Sequence, residues 1–328
     1  MKKDVFEAFY QRNGISDKFQ EAYELINLLE KEFIDLDNID TKKLDLVIEH
    51  LVNKKINILS NFLILMRYYI VINRHDLYIH LTRYTGFLDV IENILARLKI
   101  KVELNLYHLI IEGYQLPFMG VSPNKLPSYI ADLMHRLKKH LEEDLINDVL
   151  TGNNHGLSER SQIPEKLAYE ASDSLENYLK ERHQRKVKEL EEHWKKNKVW
   201  FEQTITEEVV DYVKNNQEIL SAKLVNDKLY ITKIPYDTVA YLNADKLIDK
   251  HYYGCHCPFV REAIKTESHN IPKQFCYCSA GFEKFPFEII LGEKLSIKCL
   301  ETILGGNSVC RFEIDLSNVN YKTTGGKE

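Results

Sequence analysis

The sequence predicts an α+β protein, with a helical N-terminal bundle followed by a C-terminal α+β module that contains an antiparallel sheet. Through the first hundred residues, apolar side chains recur three and four positions apart, as at Phe19, Tyr23 and Ile26, which is the spacing of one helix face. After Asn216 the composition shifts, and β-branched and aromatic residues gather in short runs bounded by Gly and Pro. A chain of 328 residues also exceeds the length at which one hydrophobic core stops growing, so more than one packed unit is expected.

Four segments follow from this pattern. We expect a helical bundle at 1–112, a helical region with a connector at 113–216, a cysteine-bearing α+β module at 217–322 and a disordered tail at 323–328. The connector is predicted because Gly and Pro recur between Gly113 and Pro127 and would break any helix there. A charged helix is predicted from Tyr169 to Trp200.

Three strands are predicted in the last segment, at 229–234, 296–304 and 309–316. The last two form a hairpin across a turn of Gly305, Gly306, Asn307 and Ser308. In the final strand apolar and charged residues alternate, which puts one face into a core and the other into water. The apolar set is Cys310, Phe312, Ile314 and Leu316.

Composition and charge exclude several classes of partner. A formal net charge of −5 on 38.6 kDa offers no general attraction to nucleic acid or to an anionic membrane. The N-terminus lacks the features of a secretion signal. The most apolar stretch, at 62–72, is too short to cross a bilayer and contains Arg67. We therefore expect a cytoplasmic protein without a membrane or nucleic-acid partner, whose cysteines are reduced.

Two Cys-x-Cys pairs form the most specific feature of the sequence. Cys255 and Cys257 flank His256, and Cys276 and Cys278 follow within two dozen residues. Thiolates are soft donors, and four of them match a tetrahedral structural zinc site. The sequence thus predicts a metal site at the four cysteines, with His256 as an alternative ligand, zinc as the expected metal and an iron–sulfur cluster as another occupant.

Other interpretations of these cysteines stay open. Cysteine packs well as a small apolar residue, which would make the cluster part of an ordinary core. A cysteine at a helix N-terminus can also be a reactive thiol, and Cys278 is the best candidate, followed by Cys276, with His256 as proton carrier. Glu283 and Glu288, on the helix that follows, are either site acids or exposed helix charges.

The C-terminal residues resemble the end of 4-vinyl reductase-type domains. These domains share a broad superfamily with heme nitric-oxide-binding domains and small trafficking-complex subunits. The matching stretches are 275–278, Gly281 with Phe282, 291–292, 300–306 and 309–314. The resemblance implies a pocket for a small apolar molecule between helices and sheet, near a cysteine-bound metal. Cys276, Cys278 and Cys310 are the residues that match, while Cys299 precedes Glu301, where the family pattern places a cysteine after the acidic residue.

Two further resemblances concern the whole chain and its ending. Residues 77–80, 116–120, 234–236 and 255–258 resemble an uncharacterised prokaryotic family with a helical N-terminal half. The ending, with Cys299, Gly305, Cys310 and Phe312, is similar to thiazoline-carboxylate hydrolase-like proteins. The second resemblance implies that Cys276 or Cys278 attacks an imine or amide-like carbon while His256 carries the proton.

Three functional hypotheses follow. The first is a ligand-binding or sensing protein with a metal site at the Cys-x-Cys pairs and a module able to form a homodimer. The second is a cysteine-dependent hydrolase. The third is a purely structural interaction protein, which requires neither a pocket nor a metal.

Overall fold

The computed structural model describes residues 3–33, 35–266 and 270–323. The chain divides into two units, which are described separately. Unit 1 comprises Met1–Leu88 and Pro117–Pro123, and unit 2 comprises Asp89–Leu116 and Asn124–Glu328.

Unit 1 is helical throughout its described residues. Its α-helices are α1 (Lys3–Arg12), α2 (Phe19–Glu32), α3 (Thr41–Asn53), α4 (Leu59–Val71) and α5 (His75–Thr82), with 3₁₀ turns at Ser16–Lys18 and Leu36–Asn38. Asp40 begins α3, because its carboxylate accepts a hydrogen bond from the Lys43 amide at 2.8 Å. In the core, the Phe6 ring meets Tyr10 and Tyr68 edge to face, an arrangement that aromatic quadrupoles favour.

Unit 2 combines helices with a small sheet. Its helices are α6 (Val90–Lys101), α7 (Leu104–Ile111), α8 (Leu126–His140), α9 (Glu143–Leu150), α10 (Ile163–Ala171), α11 (Leu175–Lys195), α12 (Glu207–Lys214), α13 (Glu218–Ser221), α14 (Thr238–Leu242), α15 (Leu247–Gly254), α16 (Pro258–Thr266) and α17 (Tyr277–Leu291). Its strands are β1 (Val199–Trp200), β2 (Gln203–Thr204), β3 (Lys223–Val225), β4 (Lys228–Thr232), β5 (Ser296–Glu301) and β6 (Arg311–Asp315). The 3₁₀ turns include Glu159–Gln162, Lys273–Cys276 and Ile303–Gly305. The predicted α+β class is confirmed.

The main sheet is antiparallel and runs in the order β3-β4-β6-β5. The predicted pairing of the last two strands is present, with Ile297 opposite Ile314. The predicted inward residues Phe312 and Ile314 of β6 are fully buried and pack in a core with Phe287 of α17. The opposite face is not fully in water as predicted, because Glu313 is buried too and accepts a hydrogen bond from Lys228 Nζ at 2.7 Å. The register of β5 shifts between Cys299 and Glu301, which marks a bulge in that strand.

The structure differs from the sequence prediction in several elements. The charged helix predicted from Tyr169 to Trp200 is two helices, because the Ser174 hydroxyl caps α11 by accepting from the Asn177 amide at 3.1 Å. Helix α16 and strand β3 were not predicted. Residues Asp89–Leu116 belong to unit 2, in which the Arg97 guanidinium of α6 donates to the Val149 carbonyl of α9 at 3.1 Å. Beyond Thr323, the predicted tail lies outside the described residues.

No helix within the described ranges combines the length and apolar character needed to cross a membrane. The apolar stretch at 62–72 falls almost wholly in α4, where Phe62 and Leu65 are fully buried.

The first turns of α17 lie against the loop that follows α9. A Cβ atom placed on Gly281 would lie 2.4 Å from the Gly152 carbonyl oxygen and 2.6 Å from the Thr151 carbonyl carbon. These atoms belong to the backbone and cannot move aside as a side-chain end can. Glycine at 281 therefore permits a helix-to-loop approach that any larger residue would prevent.

We expect Gly281→Ala to destabilise unit 2 by about 1–3 kcal/mol through overpacking. The direction of this stability change identifies the contact, because Ala inside a helix is otherwise more stable than Gly by about 1 kcal/mol. Urea unfolding followed by tryptophan fluorescence measures the free energy of unfolding of unit 2, since Trp194 and Trp200 both belong to it.

Gly254→Ala is the matched control. A Cβ atom there would lie 2.7 Å from Ile303 Cδ1, the end of a flexible side chain, so a smaller loss of stability is expected. A Gly281→Ala protein at least as stable as the wild type would contradict this account of the helix-to-loop contact.

Candidate functional site

All six cysteines are free thiols and belong to unit 2. Cys255 ends α15, Cys276 precedes α17 and Cys278 lies in its first turn. Cys257 directly precedes α16, Cys299 lies in β5 and Cys310 precedes β6. Burial is the largest cause that raises the pKa of every one of them, to about 11 for Cys278 and about 12 for Cys257 and Cys299. At neutral pH the cluster therefore consists of protonated thiols.

The two predicted Cys-x-Cys pairs lie within electrostatic reach of each other. After burial, the pKa of Cys276 is raised further by Cys310, Cys255 and Cys257, and that of Cys257 is raised by Cys278. As the side chains stand, however, no three His, Cys, Asp or Glu side chains of the described residues are grouped so that they could hold a metal ion. The metal site at Cys255, Cys257, Cys276 and Cys278 stays a prediction.

Cys278 contacts two polar side chains from the loop after α9. Its Sγ lies 3.8 Å from His155 Nε2 and 3.9 Å from Asn154 Nδ2. Cys278 and Asn154 are buried, whereas His155 is half-buried. Burial, followed by the charge of Lys233, lowers the pKa of His155 to about 4. The pair is thus a neutral thiol beside a neutral imidazole, and the imidazole can accept the thiol proton.

The loop that carries these residues is held by its own hydrogen bonds. Asn153 pairs with Leu157 twice, accepting from its amide at 2.8 Å and donating to its carbonyl at 2.9 Å. Asn93 of α6 donates to the Asn154 carbonyl at 3.0 Å. The loop therefore presents His155 and Asn154 to α17 in a defined geometry, and Gly281 allows α17 to reach them.

One lysine and one glutamate accompany the thiol. Lys233 Nζ donates to Ser279 Oγ at 3.0 Å, lies 3.8 Å from Glu283 Oε1 and sits 4.8 Å from the centre of the Phe282 ring. Burial raises the pKa of Glu283, and Lys233 opposes that rise. The charge of Lys233 also lowers the pKa of Cys278. Lys233 therefore supplies positive charge where a thiolate or an oxyanion would form.

His256, predicted as a metal ligand or proton carrier, makes a different contact. Its Nε2 lies 2.6 Å from the Ile234 carbonyl oxygen and its ring packs edge to face on Tyr236. Burial lowers its pKa to about 3, so it is neutral and bound to backbone. The imidazole in contact with a cysteine is that of His155.

The aromatic residues around α17 serve mainly as core. Phe275, Phe285 and Phe287 are buried, and Phe275 meets Phe259 edge to face with ring centres 6.0 Å apart. Phe282 is only half-buried and packs edge to face against His155, with ring centres 5.2 Å apart. This ring forms the apolar wall of the Cys278 site.

Sequence reasoning found Cys278 and missed its partners. His155 and Asn154 stand in a stretch rich in Gly and Asn that the sequence presents as a plain turn, more than 120 positions from the thiol. Lys233 lies inside the strand predicted at 229–234 and carries no motif. One signal was present in Gly281, since a glycine inside a helix is less stable than alanine there and can mark a packing contact.

Comparison with protein-family models, with curated proteins and with solved structures finds no match to this chain. The resemblance to 4-vinyl reductase-type domains and to thiazoline-carboxylate hydrolase-like proteins accordingly stays a prediction. The contacts of the described residues alone support the proposals below.

Proposed function

We propose that this protein is a cysteine-dependent hydrolase in which Cys278 is the nucleophile and His155 is the general base. The observation that carries the proposal is the contact of Cys278 Sγ with His155 Nε2 at 3.8 Å, inside a site that also holds a lysine. A nucleophile beside a base that can accept its proton is the arrangement that covalent catalysis requires.

The chemistry follows from the protonation states. Cys278 begins as a thiol and His155 as a neutral imidazole, because burial raises the pKa of the first and lowers that of the second. His155 accepts the thiol proton as Sγ bonds to the carbon of an amide or imine-like group. In an amide the C–N bond then breaks, the nitrogen leaves with the proton from His155, and water hydrolyses the resulting thioester.

Two features stabilise the charge that develops in this reaction. Lys233 places an ammonium group beside Ser279, the neighbour of Cys278, where it favours a thiolate and an oxyanion. Cys278 also lies in the first turn of a 15-residue helix, where the helix dipole favours negative charge. His155 and Phe282 are both partly exposed, so a small substrate would approach the thiol from their side.

Acylation by p-nitrophenyl acetate tests the proposal, because the ester transfers its acetyl group to an activated thiol. We expect mass spectrometry of acid-quenched peptides to find the acetyl group on Cys278. Cys278→Ala should abolish that adduct, and His155→Gln should slow its formation by about 10²–10⁴-fold.

Cys299→Ser is the matched control, since Cys299 has a raised pKa as well but lies in β5 away from the proposed chemistry. It should acylate at the wild-type rate. Acetylation spread evenly over the cysteines, or an unchanged rate in a folded His155→Gln variant, would rule out the proposed pair.

The second candidate function is a ligand-sensing protein with a thiolate metal site. The position of Cys276 favours it, because Cys255 and Cys257 are near enough to raise the pKa of Cys276 and thiolates are the soft donors that such a metal binds. Cys278 would be the fourth ligand, with zinc as the expected metal. The module would then bind a small apolar molecule and assemble as a homodimer.

Metal removal separates the two candidates, because Cys278 cannot be both a closed-site ligand and a free nucleophile. The sensing function predicts one zinc or iron per chain by elemental analysis of anaerobically purified protein. It also predicts four thiols that resist Ellman's reagent in the native protein until a chelator is added. If the protein contains no metal and its thiol reactivity does not change when a chelator is added, the sensing function is contradicted and the hydrolase is favoured.

A further inference from the structure

The side-chain amide of Asn154 has one end satisfied and one end unpaired. Asn154 is fully buried. Its Nδ2 donates to the Leu150 carbonyl oxygen at 2.6 Å and faces Cys278 Sγ at 3.9 Å. Its Oδ1 has no hydrogen-bond donor among the residues that the structure describes. A buried acceptor without a donor is costly and calls for an explanation.

The orientation of this amide is determined by its own contacts. Exchanging oxygen and nitrogen would set Oδ1 against the Leu150 carbonyl oxygen, where two acceptors would face each other. The unpaired atom is therefore an acceptor, and what it lacks is an N–H or O–H donor. The loop itself does not depend on that atom, because Asn153 and Asn93 hold it through other bonds.

The position of Oδ1 connects it to the reactive thiol. Oδ1 and Nδ2 belong to one planar group, and Nδ2 is the atom that faces Sγ. The amide of Asn154 therefore lies beside the thiol, and a group bound to Sγ is the ligand whose donor Oδ1 could accept. An N–H on the carbon undergoing attack meets this requirement, as in a primary or secondary amide, an amidine or a protonated cyclic imine. Esters and fully substituted amides lack it.

We propose that Asn154 Oδ1 accepts a hydrogen bond from the N–H of the scissile group, so that the site selects N–H-bearing carbon–nitrogen substrates over esters and tertiary amides. This inference rests on the proposed function of Cys278. It names Asn154 as the residue that determines specificity. A site built to pair a substrate N–H discriminates against an analogue without it, because the buried acceptor then stays unpaired.

Two p-nitrophenyl probes of nearly equal size test the selection. In p-nitrophenyl N-methylcarbamate the carbon under attack bears one N–H, and methyl p-nitrophenyl carbonate has an oxygen in its place. In both, a C–S bond to Cys278 forms as the C–O bond to the aryl group breaks, p-nitrophenolate leaves and the thiol proton passes to His155. Dividing each rate by the rate of the same probe with glutathione removes the difference in intrinsic reactivity. We expect the carbamate to be favoured at Cys278 by about tenfold or more, the size of one hydrogen bond.

Variants separate recognition from reactivity. Asn154→Leu should bring the normalised ratio at Cys278 close to one, whereas His155→Gln should slow both probes and leave the ratio unchanged. Should Asn154→Leu fail to fold, the wild-type ratio decides alone. Equal normalised rates at Cys278 would overturn the selection for N–H and leave the nucleophile in place. Failure of both probes to modify Cys278 faster than Cys299 would overturn the nucleophile and the selection together.

Discussion

The close approach of two backbones, at Gly281 of α17 and at Thr151 and Gly152 of the loop after α9, sets the geometry of the candidate site. With a Cβ atom at 281 only 2.4 Å from the Gly152 carbonyl oxygen, no other residue type would let the helix and loop meet in this way. The contact brings the beginning of α17 to a loop more than 120 residues earlier in the chain. Cys278 and His155 become neighbours as a consequence.

Burial and a single lysine determine the electrostatics of the site. Removal from water favours the neutral forms of Cys278 and His155 and raises the pKa of Glu283. Lys233 opposes two of these effects, since it lowers the pKa values of Cys278 and Glu283. In the resting site Cys278 and His155 are thus both neutral. Such a site is suited to a reaction in which negative charge appears only after attack.

The sequence was sufficient for features that depend on local pattern. The inward positions of Phe312 and Ile314 on β6 follow from neighbours within a few positions, and the structure confirms them. Ser174 could have been identified as a cap that divides the long charged helix, but the helical periodicity on either side of it concealed the break. Strand β3 has only three residues, too few for an alternation to be visible.

The site could be predicted only in part, because His155 and Asn154 reach Cys278 through tertiary packing of a distant loop. Thiol chemistry at Cys278 was predicted from its place near a helix start. The base beside it depends on a loop packing against that helix, which no local pattern records. His256, adjacent to two cysteines in sequence, binds the Ile234 carbonyl instead. Nearness along the chain was therefore a poor guide to the partner of the thiol.

The most direct test of this account is an NMR titration of the His155 ring, with its Cε1–H signal assigned from a His155→Gln variant. The account predicts a pKa near the value of about 4 that burial imposes, so the ring is neutral above that pH and protonates only as the pH falls through it. It also predicts that Cys278→Ser shifts the signal, since the hydroxyl replaces the sulfur in contact with Nε2. A His155 ring that titrates near 6.5, with a Cε1–H chemical shift that Cys278→Ser leaves unchanged, would contradict the contact between His155 and Cys278.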